Sequence, residues 1–179
     1  LDGNHTSETV QYLVVEAGTH ELADGTLLEA GTTTTDLSFT DVSFSQGFDS
    51  APVVFGQAQT FNGNHPIVTR TRDPSSGGVP LKVQEEAAEG WHATETAGYL
   101  AVPPGAGTDD GQAYEIGTTA NTVTHGWHTI SFDGSYGTPL FVASMQTVDG
   151  WQPSGLRYRN LTADSVEVFV EEERSKDDE

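Results

Sequence analysis

The hydrophobic and polar residues of this chain alternate in short runs that are typical of β-strands. In VPLKVQEE the apolar residues from Val79 to Val83 share one face, and Glu85 follows them on that face. The run SVEVFVEEE repeats this arrangement with Glu172 in the place of Glu85. Asn-Gly and Asp-Gly turns separate the runs, and helical periodicity is missing throughout. The pattern predicts an all-β protein built of antiparallel β-sandwiches.

The strand pattern occurs twice, at a spacing of about 87 residues. The stretch HTSETVQYLVV at residues 5–15 shares six of its eleven residues with HATETAGYLAV at residues 92–102. Further matches keep the same spacing as far as the Glu-Glu pairs at 85–86 and 172–173, with a drift of one residue around 31–48. Agreement over so many positions predicts a tandem duplication.

The repeat divides the chain into three parts. Residues 18–102 form one whole unit, and residues 103–179 form a second unit that stops after its VFVEEE strand. The closing strand that should follow is found alone within residues 1–17. Because an unpaired strand leaves backbone groups unsatisfied, we expect it to complete the second sandwich, in the same chain or a neighbouring one. Further repeats could also pair with it if the chain is an excised piece, as the lack of a signal peptide and a starting Met allows.

Charge and composition exclude some classes of partner and indicate the environment of the protein. Acidic residues outnumber basic ones by 27 to 7, which gives a net charge of −20. Such a surface repels nucleic acid and anionic lipid, and no apolar run approaches the ~18–20 residues of a membrane span. We therefore expect no nucleic-acid partner and no membrane insertion. The many carboxylates and few lysines favour a saline, extracellular setting, and the absence of cysteine excludes disulfides.

A longer motif set resembles the H-type lectin domain. The stretch VSFSQGFDSAPVVFGQAQTF, followed by VTRTRDPSSGGVPLKVQEEAAEGWHATETAGYLAV, is similar to that family's order of elements. The order is F-x-x-x-F, P-x-V, an Arg-bearing strand, a Gly-started strand, and a Trp-His pair before the final strand. The resemblance covers about 43–102, and more loosely 129–173 together with 5–15.

The resemblance implies a fold and a ligand. H-type lectins are six-stranded antiparallel sandwiches, often trimeric, that bind galactose-type sugars through loops between strands and subunits. Trp91 and His92 match the family's sugar-contacting pair, and His5 stands in the place of His92 in the N-terminal copy. The family's ligand arginine falls on Pro66 and Pro153. The resemblance therefore predicts about six strands in each unit and a glycan partner.

Two glutamates on the inner face are the candidate chemical site. Glu85 ends one strand and Glu95 begins the next, so a hairpin centred near Gly90 would place them opposite each other. Opposed and buried like charges are costly, and His92, an arginine, a shared proton or a bound cation such as Ca²⁺ would have to compensate. A solvated strand end is the simpler alternative. The second copy of this site would combine Glu172 with His5 and Glu8, so the candidate metal ligands are Glu85, Glu95, Glu172 and Glu8.

Exposed aromatic residues complete the hypothesis. Trp91 and Trp151 lie near predicted turns, where they could stack on sugar rings, whereas Trp127 adjoins an alternating run and is expected in the core. A catalytic carboxylate pair would need a cleft, and neither H-E-x-x-H nor G-x-S-x-G is present, so we expect no enzyme. We predict a non-catalytic extracellular carbohydrate-binding or adhesion module, or alternatively a structural subunit of a filament or surface array that self-associates by donor-strand exchange. The predicted ligand-binding residues are Trp91, His92, Glu95, Trp151, His5 and Glu8.

Overall fold

The computed structural model describes residues 7, 9–10, 12–85 and 90–172. These residues form twelve β-strands and no helix, and every strand pairing is antiparallel. The strands are β1 (Gly18–Glu21), β2 (Leu27–Thr35), β3 (Thr40–Ser43), β4 (Val53–Ala58), β5 (Ile67–Thr71), β6 (Gly78–Glu85), β7 (Glu95–Val102), β8 (Gly105–Asp109), β9 (Gln112–Ile116), β10 (His128–Ser131), β11 (Ser154–Arg159) and β12 (Ser165–Glu172). The all-β, antiparallel prediction is therefore confirmed.

Two sheets share one core in residues 18–102, which we call the first unit. One sheet has the strand order β1-β2-β7-β4 and the other has the order β3-β6-β5. Val54 and Ala97 of the first sheet pack with Val79 and Leu81 of the second, and Phe48 from a loop joins them. These side chains occupy alternate strand positions, as the sequence pattern predicts.

Residues 103–172, the described part of the second unit, repeat several of these pairings. The sheet β10-β12-β11 corresponds to β3-β6-β5, and the hairpin β8-β9 corresponds to β1-β2. Ile67 pairs with Glu85 in the first unit, and Ser154 pairs with Glu172 in the second. The spacing of 87 residues seen in the sequence thus recurs in the strand register.

The turns repeat as well. Gly25 and Gly111 occupy corresponding hairpin turns with φ of 88° and 81°. Asp73 and Asn160 adopt φ of 44° and 53° in a second pair of corresponding turns. Glycine, Asn and Asp are the residues that tolerate this left-handed region, which explains their places in the repeat.

One prediction about strand arrangement is wrong. It is the hairpin centred near Gly90, because β6 and β7 belong to different sheets and face each other across the core. The pairing of the N-terminal strand with a neighbouring chain stays a prediction, and in the single chain residues 7, 9–10 and 12–17 lie outside any strand. The described part of this segment therefore does not complete the second unit within the chain. The remaining residues of the predicted strand lie outside the described part.

The second unit departs from the first where the closing strand would lie. In the first unit β7 pairs with β2 on one side and β4 on the other. Residues 138–149, which correspond to β4 and its surroundings, form no strand, and among the described residues β9 pairs only with β8. Leu140 is 70% exposed, whereas its counterpart Val53 is 6% exposed. A strand needs a neighbour for its backbone groups, which explains why similar sequences adopt different structures in the two units.

Several hydrogen bonds join the two units, and two of these contacts connect corresponding elements. Asp24, in the turn between β1 and β2, accepts hydrogen bonds from the Thr108 backbone N–H and the Tyr114 hydroxyl. On the other side, the Gln146 side chain bonds both backbone groups of Val54 at the outer edge of β4. Both contacts join corresponding elements of successive repeats.

Candidate functional site

The predicted carboxylate pair is bridged by a histidine. The His92 Nδ1 atom lies 2.8 Å from Glu85 Oε1, and Nε2 lies 3.0 Å from Glu95 Oε1. All three residues are buried, with 5%, 2% and 1% of their surfaces exposed for His92, Glu85 and Glu95. Because a carboxylate only accepts hydrogen bonds, both contacts are satisfied when each ring nitrogen carries a proton. His92 is thus the compensating group that the sequence pattern requires.

Glu95 receives a full set of donors. Its carboxylate accepts hydrogen bonds from the Asn62 and Gly63 backbone N–H groups and from the Thr60 hydroxyl. Burial raises the pKa of Glu95, but the hydrogen bonds from Thr60, Gly63, Asn62 and His92 outweigh it and lower the pKa to about 2. The Asn-Gly turn therefore serves to bind this carboxylate.

A glycine makes room for the imidazole. A Cβ atom at Gly63 would lie 2.6 Å from His92 Nε2, closer than side-chain atoms approach. The ring is held by two glutamates, so it could not move aside without breaking a hydrogen bond. Gly63 is thus required by the position of His92.

Glu85 binds a second histidine. His65 Nδ1 lies 2.9 Å from the Glu85 Oε1 atom that also faces His92. Burial raises the pKa of Glu85, and the hydrogen bonds and charges of His92 and His65 lower it below its usual value overall. The other oxygen, Oε2, is buried and has no hydrogen-bond partner among the described residues.

The arrangement bears on the Ca²⁺ hypothesis. The His92 ring stands between the two carboxylates, so a cation bridging them would have to displace it. The described residues include no group of three or more His, Asp or Glu side chains placed to hold a metal ion. Ca²⁺ binding at Glu85 and Glu95 stays a prediction.

The second copy of the site is only partly described. Glu172 ends β12 opposite Ser154 and is exposed, whereas its counterpart Glu85 is buried. A Cβ atom at Gly150, the counterpart of Gly63, would have only Glu172 Oε1 nearby, at 3.9 Å. The other two predicted members, His5 and Glu8, lie outside the described residues.

A second buried carboxylate was missed by the sequence analysis. Glu29 in β2 is 3% exposed and accepts hydrogen bonds from the Ser45 and Gln46 backbone N–H groups and from the Tyr99 hydroxyl. Burial raises the pKa of Glu29, but these donors outweigh it and lower the pKa. Burial, together with the hydrogen bond and charge of Glu29, raises the pKa of Tyr99 to about 12. The signal was Glu-x-Gly-Thr-Thr, which begins at Glu29 and recurs at Glu115.

The exposed aromatic residues divide into two kinds. Trp91 and Trp151 are 74% and 76% exposed, as a stacking role requires. Trp127 is 42% exposed, so its predicted burial is wrong. Its ring packs edge-on against Phe169 and under the Arg159 guanidinium, whose Cζ lies 3.9 Å from the ring centre. Arg72 covers Phe39 in the same way in the first unit, so Trp127 has a structural role.

Comparison with known proteins gives one informative relative. The chain is 36% identical over 178 residues to a halomucin of Haloquadratum walsbyi (strain DSM 16790 / HBSQ001). The alignment includes 96% of this chain but only 2% of the halomucin, so the chain spans a very small part of that relative's length. No protein-family model matches the chain, and no solved structure matches it.

The structure therefore brings some predicted site residues together and separates others. His92 and Glu95 belong to one buried cluster with Glu85, and Trp91 projects into solvent beside it. Trp151 belongs to the second unit, yet its backbone oxygen accepts a hydrogen bond from Gln84, the neighbour of Glu85.

Within the described ranges no helix is long and apolar enough to cross a membrane.

Proposed function

We propose that this chain is a non-catalytic structural element of an extracellular halophilic surface protein, built of tandem β-sandwiches that join head to tail into an array. The halomucin similarity and the net charge of −20 support a surface setting in high salt. Carboxylates keep such a surface hydrated, and concentrated salt screens their repulsion.

The observation that carries the array concerns one surface that occurs on both units. On the first unit this surface is covered by the second unit, and on the second unit it is exposed. Arg70 of the first unit is 3% exposed, because Gln152 and Ser154 of the second unit cover it and accept its hydrogen bonds. Its counterpart Arg157 pairs with Glu171 across the same pair of strands, but its side chain is 65% exposed. The second unit therefore exposes a surface of the same type as the one through which the first unit contacts the second unit. A contact between two different surfaces of one chain repeats without closing, which generates an array.

The buried cluster supports a structural and non-catalytic role. Glu85, His92 and Glu95 bond one another beneath the surface, and each is at most 5% exposed, which leaves little of any of them accessible to a substrate. A cluster of this kind fixes the distance between the sheets to which β6 and β7 belong.

Array formation is testable through its dependence on salt. At a net charge of −20, copies of the chain repel each other strongly in dilute buffer. At about 1 M salt the screening length falls to ~3 Å, and the repulsion is largely removed. We expect sedimentation velocity of the full chain to resolve a concentration-dependent series of oligomers in molar KCl and monomers in dilute buffer. A chain that stays monomeric at every concentration in molar KCl would contradict the array.

A second candidate function is glycan binding, which the two exposed tryptophans favour. Both tryptophans are held near neighbouring residues of β6. Trp91 precedes His92, which bonds Glu85, and the backbone oxygen of Trp151 accepts a hydrogen bond from Gln84. Both residues thus lie near the end of β6, and their exposed rings could stack on the apolar faces of sugar rings. The H-type lectin resemblance contributes Trp91 and His92, although the burial of His92 leaves the tryptophan as the accessible member.

Alanine substitutions test the glycan candidate. We expect Trp91→Ala and Trp151→Ala each to weaken retardation on polysaccharide in affinity electrophoresis by up to about tenfold, since a stacked aromatic contributes ~0.5–1.5 kcal/mol. Phe61→Ala is the control, because Phe61 is similarly exposed at 77%. Equal retardation of all three variants and the unmodified chain would exclude these rings from binding.

A further inference from the structure

We propose that the second unit is closed by residues 5–15 of a second copy of this chain, which pair with the free edge of β9. This interaction deepens the array proposed above and rests on it. Residues 5–15 are called the donor segment. The edge of β9 that has no partner strand in the described part of the chain, together with Gly117 beyond its end, is called the acceptor edge.

The donor segment is similar in sequence to β7, and its described residues belong to no strand. Tyr12 and Leu13 correspond to Tyr99 and Leu100 of β7, the strand that pairs with β2. In the single chain Val10, Tyr12, Leu13 and Val14 are 77%, 86%, 72% and 82% exposed. Such a run of exposed apolar residues is rarely left in water, so it indicates an interaction surface.

The acceptor edge has a vacant place for the tyrosine. In the first unit the Tyr99 ring lies directly on Gly31, where a Cβ atom would come within 2.6 Å of the ring carbon Cζ. Gly117 is the counterpart of Gly31, and a Cβ atom there would meet nothing within 4 Å. The second unit thus has the glycine, but no ring of the described residues lies on it as Tyr99 lies on Gly31. A docked Tyr12 would fill this space.

The carboxylate beside this space is bound on one oxygen only. Glu115, the counterpart of Glu29, accepts hydrogen bonds at Oε2 from the Asp133 and Gly134 backbone N–H groups and from Tyr136. No described residue donates to its Oε1. In the first unit the Oε1 atom of Glu29 receives the Tyr99 hydroxyl at 2.9 Å. The hydroxyl of Tyr12 would supply the same bond to Glu115.

Chain direction assigns the donor to another copy. After Val102 at the end of β7, only Pro103 and Pro104 precede β8, the first strand of the next unit. A closing strand is thus joined directly to the first strand of the unit that follows it. The donor segment stands in the same relation to β1, separated from it by Glu16 and Ala17. It therefore belongs to the unit that precedes β1, and in the proposed array of identical chains that unit is the second unit of another copy.

The register follows from the first unit. Gly31 pairs with Tyr99 and Glu29 pairs with Ala101, so Tyr12 should lie opposite Gly117 and Val14 opposite Glu115. Backbone hydrogen bonds supply affinity in such strand addition, and alternate side chains supply register.

The test uses two variants of the full chain that act on opposite partners. Tyr12→Ala removes the ring from the donor, and Gly117→Val fills the acceptor. Neither change disturbs the single chain, because Tyr12 is exposed and the space at Gly117 is open. Phe61→Ala and Gly47→Val are the matched controls, since Phe61 is 77% exposed and Gly47 also has nothing within 4 Å.

Sedimentation velocity in molar KCl should give monomers for each test variant and oligomers for each control. A mixture of the Tyr12→Ala and Gly117→Val chains should stop at dimers. The intact donor of the Gly117→Val chain can pair with the intact acceptor of the Tyr12→Ala chain, and no second junction can form. Oligomers of either test variant that match those of the unmodified chain would overturn strand donation and leave the array standing.

A peptide of residues 1–17 separates failure of the junction from failure of the array. We expect it to bind the Tyr12→Ala chain at least about tenfold more tightly than the Gly117→Val chain in fluorescence anisotropy, as for loss of a buried aromatic anchor. If the unmodified chain is monomeric but the peptide discriminates in this way, the acceptor edge is upheld and the array fails. A monomeric chain whose variants do not bind the peptide would overturn both.

Discussion

Replacement of His92 by alanine is expected to destabilise the first unit by about 3–5 kcal/mol, the usual cost of removing one partner from a buried charged group. The ring lies within 3.0 Å of both Glu85 and Glu95, and each glutamate is at most 2% exposed. Without it two carboxylates face each other across the core and both lose the ring that bonds them. Urea unfolding followed by tryptophan fluorescence in molar KCl would measure the loss.

Two further variants separate the electrostatic cause from the loss of packing. His65→Ala removes the other histidine on Glu85, but the His65 side chain is 46% exposed and water can replace its contact. We expect it to cost about 1 kcal/mol or less. The double variant His92→Ala with Glu85→Gln removes one of the opposed charges and should regain part of the stability. If the double variant is no more stable than His92→Ala, charge repulsion is not the cause.

The inner-face position of the glutamates could be predicted from the sequence, but their relation to each other could not. Alternation alone places Glu85 on the face of Val83, and burial confirms this. Alternation does not say which strands pair, and β6 and β7 belong to opposite sheets rather than to a hairpin. The carboxylates therefore meet across the core, at a distance that one imidazole ring fills.

The second unit contains a segment whose structure could not be predicted from its own sequence. The segment TPLFVASMQTV at residues 138–148 has the composition of a strand, yet it forms none. In the first unit β4 is paired along β7, from Val53 opposite Val102 to Ala58 opposite Ala97. Strand propensity expresses packing against such neighbours more than any preference of the backbone itself. A segment that lacks such a neighbour in the described chain cannot be assigned from its own residues.

Glu29 was missed for a different reason. It interrupts the apolar run LLEAG, and a single acidic residue in a strand usually indicates a solvent-facing position. Its burial depends on donors from the loop after β3 and on Tyr99, which is 70 residues away in the chain. The repeated glycine at 31 and 117 was the better clue, because a glycine inside a strand pattern often indicates a close approach by another group.

The first unit should lose stability in acid through its buried glutamates. The pKa of Glu95 is lowered from 4.5 to about 2, and the pKa values of Glu85 and Glu29 are also lowered. A carboxyl group whose folded pKa is depressed contributes stability that is fully present above its unfolded pKa and is lost as pH falls through the folded value. We therefore expect the acid-side loss of thermal stability to occur between pH 4.5 and about 2 at constant high salt.

Glutamine at position 95 tests this assignment. Glu95→Gln should lower the melting temperature at pH 6 and reduce its fall between pH 4.5 and about 2, since the titrating group is gone. Glu171→Gln is the control, because Glu171 forms an exposed ion pair with Arg157, of a kind that contributes little. Its melting curve should follow that of the unmodified chain at each pH. An acid dependence of Glu95→Gln as steep as that of the unmodified chain would show that other carboxyl groups control acid unfolding.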